Sequence, residues 1–328
     1  MKYSLTIASL FSFFVAFAWS SPAFAFTNLS VPFTPQAPFG EWDQPWQDAC
    51  EETSVLMVDF FYKNNKISQQ TAYVEILKIL RVKERAFGAS YDENAQKVVD
   101  MINAFFPWEA WIAEQPTIDH IKSEIDAGRP VILPAYGKSL LNPHFVDGGP
   151  YYHMNVISGY DDETEEFIIQ EPGTRFGLDF RYPYDRIINA MHDYLPEQRT
   201  LFGRQVAIFT RPTATAASLK TDGDNDGLTK EDELRFGSVL WLADSDGDGQ
   251  LDGAEVMNGR LPTVAGDAPH SPFLIKSSTN PKVYLLENGT KRHIANEEVF
   301  IGHGWQWQDV VVLSDTLVSS ISSGDTIM

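Results

Sequence analysis

Residues 222 to 255 carry eleven acidic side chains against only Lys230 and Arg235, a surplus of nine carboxylates in 34 positions. Charges of one sign at that density repel one another, so the stretch cannot pack down without cations. The acids are regularly spaced. In "DGDNDGLTKEDE", Asp222, Asp224 and Asp226 hold positions one, three and five of a twelve-residue loop, with Gly227 at six, the Leu228 carbonyl at seven and Glu233 at twelve. "DSDGDGQLDGAE" repeats this with Asp244, Asp246, Asp248, Gly249, Gln250 and Glu255. That spacing wraps carboxylates and one backbone carbonyl around a calcium ion, glycine permits the sharp turn, and the last glutamate can supply both oxygens. Two structural Ca2+ sites are expected, in a spacer spanning 213–265.

On either side of this block the chain reads differently. Residues 26–212 read as a mixed helix-and-strand domain. Ala49 to Tyr62 has a broad apolar helical face, Ser68 is placed to cap a second helix, a third follows Asp92, and Thr117 to Asp126 is a fourth that ends at Gly128. Four β-like runs come next, "RPVILPAYG", "YYHMNVISGY", "EFIIQEP" and "RQVAIFT". Helices followed by strands is an α+β pattern. "RPTATAASLKT" and "LPTVAGDAPHSP" read as linkers. The final part, 266–328, reads as a small β-rich module with an Asn288-Gly289 hairpin turn.

The first 25 residues have the form of a secretory signal: Lys2, an apolar run from Leu5 to Trp19, and Ala23-Phe24-Ala25 as a small-x-small cleavage site. The apolar run is short for a membrane span, and no later segment is long enough. The expected product is secreted or associated with the cell envelope, with no membrane span after signal removal. A formal net charge of −20 argues against nucleic acid and anionic membrane partners.

In an oxidising compartment cysteines usually come in pairs, yet Cys50 is the single cysteine of the chain. It stands at the expected start of the first helix, where the helix dipole favours a thiolate. Glu51 and Glu52 add opposing charge unless their side chains point away. Downstream, His153 opens one strand and Glu171 closes the next. If Ile157 pairs with Phe167, the antiparallel register sets His153 directly across from Glu171, ~5 Å apart between Cβ atoms, close enough to orient an imidazole. His144 is the rival base, and Asp161, Asp162 and Asp185 are further candidates for the orienting role. His120, His293 and His303 read as surface or structural residues.

The segments "VPFTPQ", "WQDACEETSVLMVDFFY", "AGRPVILPAYG" and "YYHMNVISGYDDETEEFIIQEPG" together resemble cysteine peptidase family thirty-nine. The likeness is to its soluble, exported peptidase-like branch, related to the papain-like domains that cut double-glycine leader peptides, and it covers roughly residues 31 to 210. It implies a papain-like domain of helices packed on an antiparallel sheet, and a peptide or protein substrate. It also implies Cys50 as nucleophile, His153 as general base and then acid, and Glu171 where the family has Asp or Asn. Papain-like enzymes place an oxyanion-stabilising glutamine about six residues before the cysteine, which is Gln44, whereas Gln36 matches the family's own upstream glutamine. Gln47 is a third amide in reach. Trp42 and Trp46 suit either a groove wall or packing.

The acidic loops resemble bacterial thrombospondin type-3 and EF-hand-like repeats. Only about ten residues separate them, too few for two full flanking helices, and Leu228 at position seven has its counterpart, Leu251, at position eight. A rigidified spacer therefore fits better than a matched sensor pair. In the last module, Trp305 and Trp307 suit either core packing or presentation of an indole face to a cell-envelope ligand. The leading expectation is an exported cysteine peptidase with a calcium-stabilised spacer. Its rivals are a catalytically silent surface-binding protein that keeps the fold, and a cysteine acyltransferase.

Overall fold

The computed structural model describes residues 25–88, 91–213, 217–266, 273–277 and 279–328. The expected signal, up to residue 24, and parts of both expected linkers lie outside these.

The first helix, α1 (Cys50–Tyr62), starts at the lone cysteine, and α2 (Gln69–Phe87) is capped by Ser68, whose hydroxyl accepts the Thr71 N–H at 3.0 Å. The third, α3 (Ala95–Phe105), begins one turn later than Asp92, with Asn94 as its cap. In α4 (Ile118–Asp126), Thr117 and His120 cap one another, which gives His120 a structural role. A short α5 (Tyr184–Ala190) follows a strand that the apolar pattern does not signal.

The sheet contains β1 (Phe26–Asn28), β2 (Glu109–Glu114), β3 (Val131–Ala135), β4 (His153–Asp161), β5 (Glu166–Gln170), β6 (Phe180–Pro183) and β7 (Val206–Arg211). Its order is β2-β7-β3-β4-β5-β6, with β1 added to the far end of β4, and all these pairings are antiparallel. Alternate side chains sort to two faces, as strand geometry requires. Ile132, Val206 and Ile208 join the core under α1 to α3, while Val131, Leu133, Ala207 and Phe209 join the core under α4 and α5. Helices therefore cover both faces. The N-terminal end of α1 meets the start of β4 at one rim.

The acidic block supports two short helices, α6 (Lys230–Phe236) and α7 (Asp252–Met257). Beyond it lie β8 (Phe273–Ser277), β9 (Val283–Glu287), β10 (Thr290–His293), α8 (Glu297–Gly302), β11 (Val310–Leu313), α9 (Asp315–Ser320) and β12 (Ser322–Ser323), in the sheet order β11-β8-β9-β10-β12. Asn288 and Gly289 both take positive φ, 50° and 69°, as a two-residue hairpin turn between β9 and β10 demands. Leu228 and Val256 share a core with Phe273, Leu286 and Leu317, so the acidic block packs onto this sheet. On its other side, the Lys230 ammonium donates to the Asn103 carbonyl at 3.2 Å, and Trp241 lies 5.8 Å from Phe106. Among the described residues no helix is long and apolar enough to cross a membrane.

Candidate active site

Cys50 is the first residue of α1 and is 3% exposed. It and His153 line one cavity of about 970 Å³, walled also by Gln36, Trp42, Asp92, His144 and Phe176. His153 is buried, and its Nε2 is hydrogen bonded to Glu171 Oε1. That leaves Nδ1 as the ring nitrogen available for proton exchange. The Phe145 ring meets the imidazole edge to face at 5.4 Å and helps fix its plane.

Glu171 is held on every side. Its Oε1 also accepts the Gly173 N–H at 2.9 Å, and its Oε2 accepts the Tyr182 hydroxyl at 3.1 Å and the Asn155 amide at 3.3 Å. Gly173 is required here by close approach. A Cβ on it would lie 3.0 Å from the imidazole carbon of His153 and 3.1 Å from Glu171 Oε1.

The expected strand register is corrected by the structure. Ile157 pairs with Ile169, not Phe167, and the ladder shifts between Ile157 and Gly159, leaving Ser158 as a bulge. Continuing the pair Val156–Gln170 by one residue sets Glu171 across from Asn155, so His153 is its diagonal neighbour. Diagonal neighbours stand about 7–8 Å apart, and the longer glutamate spans what an aspartate would not. The register expectation fails while the contact it was meant to explain is made.

The acidic neighbours of Cys50 are also corrected. Glu51 is fully buried and does not point away from the thiol, whereas Glu52, also fully buried, turns to Lys83. The Cys50 thiol donates to Glu51 Oε2 at 3.1 Å, and Glu51 Oε1 accepts the Glu93 N–H at 2.8 Å. Glu52 pairs with the buried Lys83 ammonium at 2.6 Å. Burial first, and then the charge of Glu51, push the Cys50 thiol well above its ordinary range. Both act against the helix dipole, which favours the thiolate. Sequence reasoning missed Lys83 and Tyr182 because neither carries a local signal.

The remaining candidates separate by position. Gln36 is buried on the cavity wall, where its Nε2 donates to the carbonyls of Trp46 at 3.0 Å and Gln47 at 2.7 Å. Gln47 lines the cavity too, whereas the lining does not include Gln44, which is exposed and bonded to Asp48. His144 lies on the cavity rim, 4.7 Å from the Phe176 ring. Asp161 is engaged by Arg181, Asp162 by Lys122 and Tyr184, and Asp185 by the N–H of Arg186. Trp42 faces the cavity, while Trp46 is buried against Tyr73.

In the acidic block, carboxylate oxygens of Asp222, Asp224 and Asp226 converge within 4.8 Å of one another, as do those of Asp244, Asp246 and Asp248. Gly227 and Gly249 take φ of 102° and 95°, the left-handed turn expected at position six. Glu233 is 1% exposed, and neither of its carboxylate oxygens has a partner. Burial and the charges of Asp224, Asp226 and Asp222 push its carboxyl up to about 9. A buried, unpartnered carboxylate beside three others is the donor set of a hard cation. The residues present fit calcium.

Three comparisons complete the picture. No curated protein matches the chain. A crystal structure of a candidate C39-like peptidase from Bacillus anthracis is similar over 58% of this chain and 100% of its own, at 18% identity and a TM-score of 0.40. Residues 28–196, the stretch that holds Cys50, His153, Glu171 and Gln36, match the Peptidase_C39 like family, and the chain belongs to that family.

Proposed function

We propose that this protein is an exported cysteine peptidase. The observation that carries the reading is the shared cavity. A cysteine at a helix start and a histidine fixed by a buried carboxylate face one space, inside the segment that matches the family. Cys50 passes its proton to His153 Nδ1, and the thiolate attacks a peptide carbonyl. His153 then protonates the leaving amine and later takes a proton from the water that releases the acyl group. Glu171 steadies the imidazolium. The Cys50 N–H, one of the free donors at the start of α1, supplies one hydrogen bond to the developing oxyanion. Gln36 is preferred over Gln44 for the second, because it lines the cavity. It must release one of its two backbone carbonyls to do so.

The decisive experiment digests a peptide library with the mature protein beside its Cys50→Ala variant. Cleavage products that depend on Cys50 are expected, and identical product sets from the two proteins would overturn the reading. A second reading, a binding protein that retains the fold, is favoured by one observation: the thiol is committed to Glu51 and buried. That reading gains if the digest shows nothing.

Calcium is the second part of the proposal. Asp222, Asp224, Asp226, the Leu228 carbonyl and Glu233 would hold one ion. Asp244, Asp246, Asp248, the Gln250 carbonyl and Glu255 would hold the other. Bound calcium supplies the positive charge that the block lacks. Titration calorimetry on the full mature chain should show heat below millimolar calcium, since extracellular sites of this kind have dissociation constants of about 10⁻⁴ to 10⁻³ M. A flat titration removes the metal from the reading. The tail module, with Trp307 54% exposed and stacked on Phe300, is the proposed contact for a cell-envelope ligand.

A further inference from the structure

The resting thiol has a partner that the hydrolytic scheme does not use. Cys50 Sγ donates to Glu51 Oε2 at 3.1 Å, and the carboxylate is anchored through its other oxygen by the Glu93 N–H at 2.8 Å. Glu51 is fully buried, so solvent does not compete for this bond. His153 meanwhile has Nε2 committed to Glu171. The sulfur is therefore hydrogen bonded to the Glu51 carboxyl group.

We propose that Glu51 is a positioning residue that holds Cys50 as a neutral, hydrogen-bonded thiol in the resting chain, so that the attacking thiolate forms only when this bond is exchanged for one to His153. In the exchange the S–H bond breaks, an N–H bond forms at His153 Nδ1, and Glu51 keeps its own charge state. The arrangement suits a protein with one unpaired cysteine outside the cytoplasm, because oxidation and stray alkylation act on thiolates. The anchor is also well placed to sense an occupant. Glu93 fixes Glu51, and its neighbour Asp92 lines the cavity. Burial and then Glu51 push the thiol upward, in agreement with the geometry, and burial likewise pushes the Glu51 carboxyl well above its ordinary range, opposed by the charge of Lys83. The groups facing Glu51 are Glu52 on α1, Lys83 on α2, Asp92 and Glu93 ahead of α3, and the Tyr152 and Tyr194 pair, whose rings lie 5.2 Å apart.

The test is the pH dependence of iodoacetamide labelling, followed by mass spectrometry. Cys50 is the single cysteine, so all thiol labelling reports on it. The wild-type midpoint is expected above that of free cysteine, about 8.5. Glu51→Gln is expected to lower it by about one unit and to speed labelling at pH 7 about tenfold, since the rate follows the thiolate fraction. Glu51→Asp, which keeps the carboxyl group, should hold the midpoint above that of the Gln variant. A Gln variant that labels faster at every pH with an unmoved midpoint has merely loosened the packing, and overturns the proposal. Should circular dichroism show that neither variant folds, the wild-type midpoint decides: at or below 8.5 the proposal fails. This readout needs no hydrolysis. A shifted midpoint with no Cys50-dependent cleavage would sink the peptidase reading and leave the Glu51 proposal standing. Cleavage with an unmoved midpoint would do the reverse.

Discussion

Helix α1 opens with Glu51 and Glu52 fully buried, and α6 buries Glu233 almost as deeply. The two starts handle that charge in opposite ways. At α1 the chain supplies its own cation, as Lys83 reaches across from α2 to Glu52 and also donates to the Tyr91 carbonyl at 2.9 Å. At α6 the surroundings of Glu233 are more carboxylates. The one buried lysine on that helix, Lys230, turns its ammonium to the Asn103 carbonyl, and burial pushes it down to about 8. Buried negative charge must be matched by protein or by solute. The start of α1 carries its counter-charge in the sequence, and on the proposed reading the acidic block takes its own from calcium.

The sharpest way to break this comparison is Lys83→Met. Removing one partner of a buried pair costs about 3–5 kcal/mol, read as a lowered denaturant midpoint at pH 7. The sign with pH follows from Glu52, whose carboxyl burial already holds above its ordinary range. Such a group binds its proton more tightly folded than unfolded, so the penalty grows as pH rises above about 4.5 and shrinks below it. A variant as stable as wild type at pH 7 would mean that Lys83 is not the counter-charge.

Next in size is Glu171→Asp. The shorter side chain no longer spans the diagonal to His153, and a misplacement of about 1 Å can cost about a hundredfold in rate. The fall should appear in kcat with the fold intact. Unchanged kcat would show that the diagonal reach is not needed.

Calcium removal comes third. At ten times the dissociation constant a single site stabilises by about 1.4 kcal/mol, which a chelator should abolish in thermal melts. Glu233→Gln sharpens the point through opposite signs. It should stabilise the chelated chain at pH 7 by removing a carboxyl that must take up a proton to stay buried, and destabilise the chain in calcium by removing a ligand. If both effects share one sign, the block does not take its counter-charge from the metal. The smallest effect is Asp248→Asn in the second, more exposed loop, about 0.5 kcal/mol or less in calcium.

Helices α1, α2 and α4 were legible from a 3.6-residue apolar period, and α2 and α4 also from a Ser or Thr cap, because both are local properties. Strand β2, "EAWIAE", went unread, since a short run ended by glutamates on both sides has little alternation to betray it. The convergence of Asp222, Asp224 and Asp226, and of Asp244, Asp246 and Asp248, was legible, because their alternate spacing in a tight loop is itself a sequence property. The register of β4 on β5 was not, because a bulge at Ser158 leaves no compositional mark and still moves every partner beyond it.

Sequence alone carried the lone thiol at a helix start, the candidate imidazole and carboxylate, and the regular spacing of the acidic loops, because order and spacing along the chain are written in it. Tertiary structure decided the rest. It set Glu171 on His153 by a diagonal, put Gln36 and not Gln44 on the cavity wall, and turned Glu51 onto the thiol. Those outcomes depend on burial and on groups distant in the chain, such as Lys83 and Tyr182, and a side chain's charge and direction follow from what the fold brings against it.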